Sequence, residues 1–155
     1  MRDDLRGIGK RIVDFHERGG EPPYVLYVYP PAEEWVVRRD LKDLQLWLEA
    51  PDQGVRCAAI SLADLFWQAL EAEGWIDELM RQEREAAGDE AALREVYRAV
   101  GEILRLPPSL PERVIAAVEA FEADRIAVFL YRAGALYPAY RTSTLIDDLR
   151  SRVPL

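Results

Sequence analysis

The strongest constraint on the fold is the alternation of short apolar runs with stretches of helical periodicity. Three runs are rich in aromatic or β-branched residues and have the length of buried strands: 24–29, 55–60 and 126–130. Strands that alternate with helices are joined by crossover connections, so they form a parallel sheet covered on both faces. The sequence therefore predicts a three-layer α/β domain with a mostly parallel sheet and a helical insert between the second and third strands.

Around the runs, apolar residues recur every three or four positions, which is the spacing of amphipathic helices. This periodicity predicts six helices, at 4–18, 32–50, 62–70, 89–104, 109–122 and 138–150. Ser61 is placed to cap the third of them, and Pro138 suits the first turn of the last. A further strand is expected to begin at Val153.

The predicted sheet has a Rossmann-like or P-loop-like order of elements, yet it lacks a nucleotide motif. A phosphate-binding loop needs glycines between a strand and a helix, together with a lysine. Pro30 and Pro31 follow the first run and remove two N–H donors. The one glycine-lysine cluster, 7–10, precedes every predicted strand. We therefore expect no nucleotide and no other cofactor.

Composition also limits the chemistry. His16 is the only histidine and Cys57 the only cysteine, which excludes a zinc site built from several cysteines and histidines. We expect no metal, no catalytic residue and no enzyme activity. A lone cysteine forms no internal disulfide, the first residues carry acids rather than an apolar leader, and no apolar stretch is long enough to span a bilayer. These features predict a cytoplasmic protein without membrane contact, and the net charge of −8 argues against direct binding of nucleic acid.

The segment that follows the third strand, 131–141, is the best candidate for a functional surface. It lies at the carboxyl edge of the predicted sheet, where open α/β folds keep their sites. Two readings remain open. Tyr137 and Tyr140 could pack the loop while Arg141 pairs with an acid, or the loop could be a recognition surface. Trp75, beside an acidic stretch, is a further candidate for contact with a partner.

The same segment carries a resemblance to a known family. The pattern resembles the signature of the BrxB family of bacteriophage-exclusion (BREX) defence systems, and it reads Phe129-Leu130-x-x-Ala133-Gly134-Ala135-Leu136-Tyr137-Pro138-x-Tyr140-Arg141-x-Ser143-x-Leu145-x-x-x-Leu149. The steps Tyr27-x-Tyr29-x-Pro31, with Arg38, Arg39 and Leu41 after them, and Ser61-Leu62-x-x-Leu65 are similar to earlier family elements but generic.

This resemblance implies a small non-catalytic component that binds PglZ, a large protein of the alkaline-phosphatase superfamily. Members usually continue beyond the leucine-rich helix into another strand. We therefore expect residues 1–155 to form one α/β domain that lacks the C-terminal strand of the family, and an exposed sheet edge would favour self-association. The expected partner-binding residues are Arg132, Gly134, Tyr137, Tyr140, Arg141 and Trp75.

An alternative function remains at this stage. The chain could be a nucleotide- or nucleic-acid-dependent accessory protein that uses the loop after the third strand, or the arginines of its C-terminal part. The missing phosphate loop weighs against the first of these roles, and the net charge weighs against the second.

Overall fold

The computed structural model describes residues 1–150 and Arg152. Among these residues the chain forms seven α-helices and two β-strands. The helices are α1 (Asp3–Arg18), α2 (Glu34–Leu48), α3 (Leu62–Ala72), α4 (Ile76–Glu85), α5 (Glu90–Ile103), α6 (Leu110–Glu119) and α7 (Thr142–Arg150). The strands are β1 (Arg56–Ser61) and β2 (Ile126–Tyr131), and short 3-10 helices cover Pro31–Glu33 and Ala133–Leu136.

The three-layer α/β prediction is wrong. The described residues form a mostly helical protein whose sheet contains β1 and β2 alone, paired in parallel, so it has neither Rossmann-like nor P-loop-like topology. The predicted second and third strands are present, and the residues between them are helical. With only two strands, a sheet cannot supply two broad faces for layers of helices, and helix-to-helix packing forms much of the core instead.

The predicted first strand is the main reason for the error. Residues 24–29 pair with no strand, and Leu26 and Val28 are 66% and 79% exposed. Only Tyr27 and Tyr29 are partly buried, and the other four residues of the run are exposed, so it is not buried on both sides as its apolar composition indicated. The strand predicted from Val153 lies outside the described residues.

The chain divides into two compact units. The first unit contains Met1–Ala58 and Glu122–Phe129, and the second contains Ala59–Phe121 and the residues from Leu130. Both strands pass from one unit into the other, since each unit holds part of β1 and part of β2.

The first unit is built on the packing of α1 against α2. Its core contains Leu5, Ile12, Val13, Leu44, Leu48, Val55 and Ala127. The helices approach closely at Gly9, where an added Cβ would lie 2.7 Å from Leu44 Cδ1 and 2.8 Å from Trp47 Cζ3. Within the glycine-lysine cluster at 7–10, Gly9 therefore serves helix packing.

The second unit contains α3, α4, α5, α6 and α7. Helix α3 packs against α5, α6 and the second 3-10 helix, while α4 packs against α5 and α6 against α7. The Ser61 hydroxyl accepts a hydrogen bond from Asp64 N at 3.3 Å, so Ser61 caps α3 as predicted. The fully buried side chains of this unit are Leu62, Leu104, Leu110, Val114, Leu136 and Leu145.

The start of the last helix differs from the prediction. Pro138 does not occupy its first turn, because α7 begins at Thr142 and the chain before it forms the 3-10 helix Ala133–Leu136. Leu136 is fully buried and fixes this 3-10 helix against α3, and the Tyr137–Pro138 peptide bond that follows is cis.

None of the helices in the described part of the chain combines the length and the apolar character that crossing a bilayer requires.

Candidate partner-binding surface

The segment from Arg132 to Arg141, which we call the β2–α7 loop, is joined to α3 by an ion pair. Arg132 has the left-handed φ of 59°, and its Nη1 lies 3.1 Å from Asp64 Oδ1 in the first turn of α3. Both side chains are about half exposed, so the pair contributes about 0–1 kcal/mol of stability. Its main effect is to fix the direction in which the chain leaves β2.

Two side chains anchor the β2–α7 loop in the second unit. Leu136 is fully buried and Tyr140 is 5% exposed, and the Tyr140 N–H donates to Leu136 O at 2.8 Å. The Tyr140 hydroxyl donates to Asp148 Oδ2 at 3.5 Å, and the Arg105 guanidinium lies 5.3 Å from the ring centroid. Burial raises the pKa of Tyr140, Asp148 raises it further, and Arg105 opposes the rise. Tyr140 therefore holds the loop from inside.

Helix α5 supports the same loop through a backbone contact. An added Cβ at Gly101 would lie 2.5 Å from Ala139 O, which is closer than any real Cβ contact. Only glycine lets α5 approach the loop backbone at this distance. The loop is thus held at Arg132, Leu136, Ala139 and Tyr140.

The side chains between and beyond these anchors face solvent. Tyr137 is 84% exposed, the highest fraction among the large exposed hydrophobic residues of the described chain. Gly134 and Arg141 are also exposed, and a Cβ added at Gly134 would contact nothing within 4 Å. Arg141 O accepts from Leu145 N at 3.2 Å, so Arg141 precedes the first turn of α7. Arg141 forms no ion pair with any residue that the structure describes.

Trp75 lies apart from the β2–α7 loop. It is 47% exposed and follows the C-terminal end of α3, after Gly74 with its φ of 69°. Arg132 contacts the opposite end of that helix, and an eleven-residue helix is about 16 Å long. Arg132, Gly134, Tyr137 and Arg141 are thus exposed on one loop, and Trp75 lies at the far end of α3.

Sequence reasoning missed two residues beside the loop. Asp64 receives Arg132, and Trp67 follows Asp64 by three positions on α3, a spacing that makes neighbours on a helix surface. Trp67 is 51% exposed, and its ring packs edge-on against Phe66 at 5.4 Å. The spacing Asp64-x-x-Trp67 was the available signal, but by itself it did not indicate a site, because the sequence does not show that Arg132 lies beside Asp64.

Cys57 and His16 are the only cysteine and the only histidine of the chain, and both make structural contacts within the first unit. The His16 ring donates through Nε2 to Ile126 O at 3.1 Å. Burial and the nearby Glu49 raise the pKa of the Cys57 thiol to about 12. Among the described residues no group of three or more histidine, cysteine or acidic side chains is arranged to hold a metal ion.

Comparison with known families decides the identity. Residues 58–154 match the family model described as BREX protein BrxB, and this match covers more than half of the chain. The chain belongs to the BrxB family. The match includes most of β1 and all of β2, the β2–α7 loop and α7, whereas the pattern at 27–41 lies before it. No curated protein and no solved structure matches the chain. As a BrxB protein, the chain is a component of a BREX defence system.

Proposed function

We propose that the chain is a non-catalytic adaptor of its BREX system and that it binds PglZ, the alkaline-phosphatase-superfamily protein of the same locus. We place the contact on the β2–α7 loop, with Tyr137 and Arg141 as the principal contact residues and Arg132 and Gly134 beside them. Tyr140 contributes by holding the loop, and Trp75 contributes only if the partner extends along α3.

The observation that carries this proposal is that Tyr137 is exposed on a loop whose chain is anchored before and after it by buried side chains. A tyrosine that is 84% exposed offers a wide apolar area with a polar end, and tyrosine and arginine are enriched among residues that dominate binding energy. The buried Leu136 and Tyr140 flank it. A side chain presented by an ordered backbone loses less conformational freedom on binding, which favours affinity.

The surroundings of His16 and Cys57 support a role without chemistry. His16 Nε2 donates to Ile126 O at 3.1 Å, a contact that ties α1 to the start of β2 and is typical of a structural histidine. A nucleophilic cysteine needs a lowered pKa, and that of Cys57 is raised to about 12.

Binding measurements with purified PglZ from the same locus test the proposal. We expect the Tyr137→Ala and Arg141→Ala variants each to weaken binding by about ten-fold or more, the loss of a typical hot spot. Phe121→Ala is the matched control, because Phe121 is an aromatic side chain of the same unit, 39% exposed and outside the loop.

Folding is checked on each variant by circular dichroism and thermal unfolding. Absence of binding by the unaltered chain would overturn the PglZ assignment itself. Binding that survives in both Tyr137→Ala and Arg141→Ala would show that PglZ contacts another surface.

A further inference from the structure

Residues 25–29 of the first unit form an extended segment that belongs to no sheet. The rings of Tyr27 and Tyr29 lie side by side with centroids 5.9 Å apart, as residues two positions apart do on an extended backbone. Both hydroxyls are bound: Tyr27 donates to Asp4 Oδ2 at 2.8 Å and Tyr29 to Glu34 Oε2 at 2.6 Å. One face of the segment is therefore fixed to the helices of this unit.

The opposite face is apolar and open. Leu26 and Val28 point outward and are 66% and 79% exposed. No charged residue occurs between Pro23 and Pro31. Edge strands in soluble proteins are commonly protected by charge or by proline within the strand, and here the prolines lie only on the two sides of the segment.

The backbone of the segment is also open. Val25, Leu26 and Val28 have no backbone hydrogen-bond partner among the residues that the structure describes. On an extended chain the N–H and C=O groups of residues two positions apart point to the same edge. Leu26 and Val28 therefore present two donors and two acceptors in the arrangement that an added strand needs.

We propose that two copies of the chain associate by antiparallel pairing of residues 25–29 about a two-fold axis at Tyr27. Leu26 then lies opposite Val28 of the second copy and exchanges both of its backbone hydrogen bonds with it. The symmetry repeats this pair, which gives four hydrogen bonds between the copies. Each outward leucine meets a valine, a favourable pair across strands. The uncharged segment thus complements itself, as a two-fold interface requires.

The available area sets the strength of this association. The exposed parts of Leu26 and Val28 offer roughly 200 Å² of apolar area per copy. Together with the backbone of the paired strands, this remains below the roughly 800 Å² per partner of a standard interface. We therefore infer a reversible dimer with a dissociation constant in the micromolar range.

Sedimentation equilibrium on the full chain, from about 5 to about 500 µM, tests the proposal. We expect the unaltered chain to show a monomer–dimer equilibrium, and Val28→Lys to raise the dissociation constant by about ten-fold or more. Leu46→Lys is the matched control, because Leu46 lies in the same unit, is 63% exposed and belongs to α2. Added salt should not weaken the dimer, since no ion pair takes part and salt screens the repulsion between two copies that each carry a net charge of −8.

A crosslinking experiment tests the register. In a Cys57→Ala background, Leu26→Cys and Val28→Cys chains are mixed and oxidised gently, and the products are identified by intact mass. Directly opposite residues of a hydrogen-bonded antiparallel pair have Cα atoms about 5.5 Å apart, within disulfide range, whereas diagonal residues lie beyond about 7 Å. We expect the mixed disulfide dimer to form faster than either dimer of one variant.

Three results would overturn the proposal. These are a chain that stays monomeric throughout the concentration range, a Val28→Lys variant that dimerises as well as Leu46→Lys, and crosslinking without preference for the mixed dimer. The proposal would also be refuted if residues 25–29 paired with a strand of a different protein while the chain itself stayed monomeric.

Discussion

Replacing Gly101 by alanine tests how α5 supports the β2–α7 loop. The added Cβ would lie 2.5 Å from Ala139 O, about 0.9 Å closer than the 3.4 Å at which ordinary contact begins. The obstacle is a backbone oxygen, and the chain on either side of it is held by the buried Leu136 and Tyr140. Overpacking of this kind costs about 1–3 kcal/mol, and restricted relaxation places the cost near 3 kcal/mol.

Helix propensity acts in the opposite direction. Alanine in a helix interior is more favourable than glycine by about 1 kcal/mol, so the expected net loss for Gly101→Ala is about 2 kcal/mol. Gly7→Ala is the matched control, because Gly7 lies in α1 with nothing within 4 Å of an added Cβ. There the propensity gain is unopposed, and we expect stabilisation of about 0.5–1 kcal/mol.

Urea unfolding of the two variants and the unaltered chain measures both free energies, and hydrogen exchange reports the loop separately. We expect faster exchange at the Tyr140 amide in Gly101→Ala, because its bond to Leu136 O is disturbed. A Gly101→Ala variant as stable as the unaltered chain would refute the close approach of α5 to Ala139. Equal stabilisation by both substitutions would do the same, since propensity alone would then account for them.

Three further predictions concern single groups. Ser109→Ala should cost about 1 kcal/mol in urea unfolding, because Ser109 and Glu112 form a capping box at the start of α6, with Ser109 N 2.7 Å from Glu112 Oε2. The Glu78 carboxyl should titrate with a pKa of about 2 by carbon NMR, because hydrogen bonds from Arg81 and Gln82 favour its charged form. In Arg81→Ala this pKa should return toward 4.5. The contribution of Glu78 to folding stability is present above pH 4.5 and is lost as the pH falls toward 2. Cys57, with its pKa raised to about 12, should react with iodoacetamide at pH 8 at least about ten-fold more slowly than free cysteine, and an equal rate would contradict its burial.

Helical periodicity predicted the elements well where one face alone is buried. The helix expected at 4–18 is α1 (Asp3–Arg18), and the strand expected at 126–130 is β2 (Ile126–Tyr131). In α1 local spacing and burial agree, since Leu5 and Ile12 are core residues of the first unit. Local pattern is sufficient when the buried face and the hydrophobic face coincide.

The pattern failed where apolar residues do not indicate burial. In 24–29 the two inward tyrosines are held through their hydroxyls by Asp4 and Glu34, and the aliphatic residues between them face outward. Composition cannot distinguish such a segment from a strand that is covered on both sides. The difference depends on whether residues distant in the sequence pack against the segment, and composition does not show this. Trp35 is likewise apolar yet 76% exposed, although it falls within the helical spacing of the segment 32–50.

The position of the candidate site was predictable, but the division of labour within it was not. The motif placed Tyr137, Tyr140 and Arg141 together, while the structure buries Tyr140 and exposes the other two. That difference depends on Asp148 of α7, on Gly101 of α5 and on Arg105, which follows the C-terminal end of α5. A sequence pattern gives the loop, and tertiary packing decides which of its side chains reach a partner.

The two proposed interfaces occupy different parts of the molecule, so each can be tested without the other. The β2–α7 loop lies in the second unit and within the residues that match the BrxB family, whereas residues 25–29 lie in the first unit and before the match. Tyr137→Ala should therefore weaken PglZ binding and leave the monomer–dimer equilibrium unchanged, and Val28→Lys should do the reverse. A single substitution that removed both properties would mean that PglZ recognises the dimer, and the two surfaces would then have to be treated as one binding system.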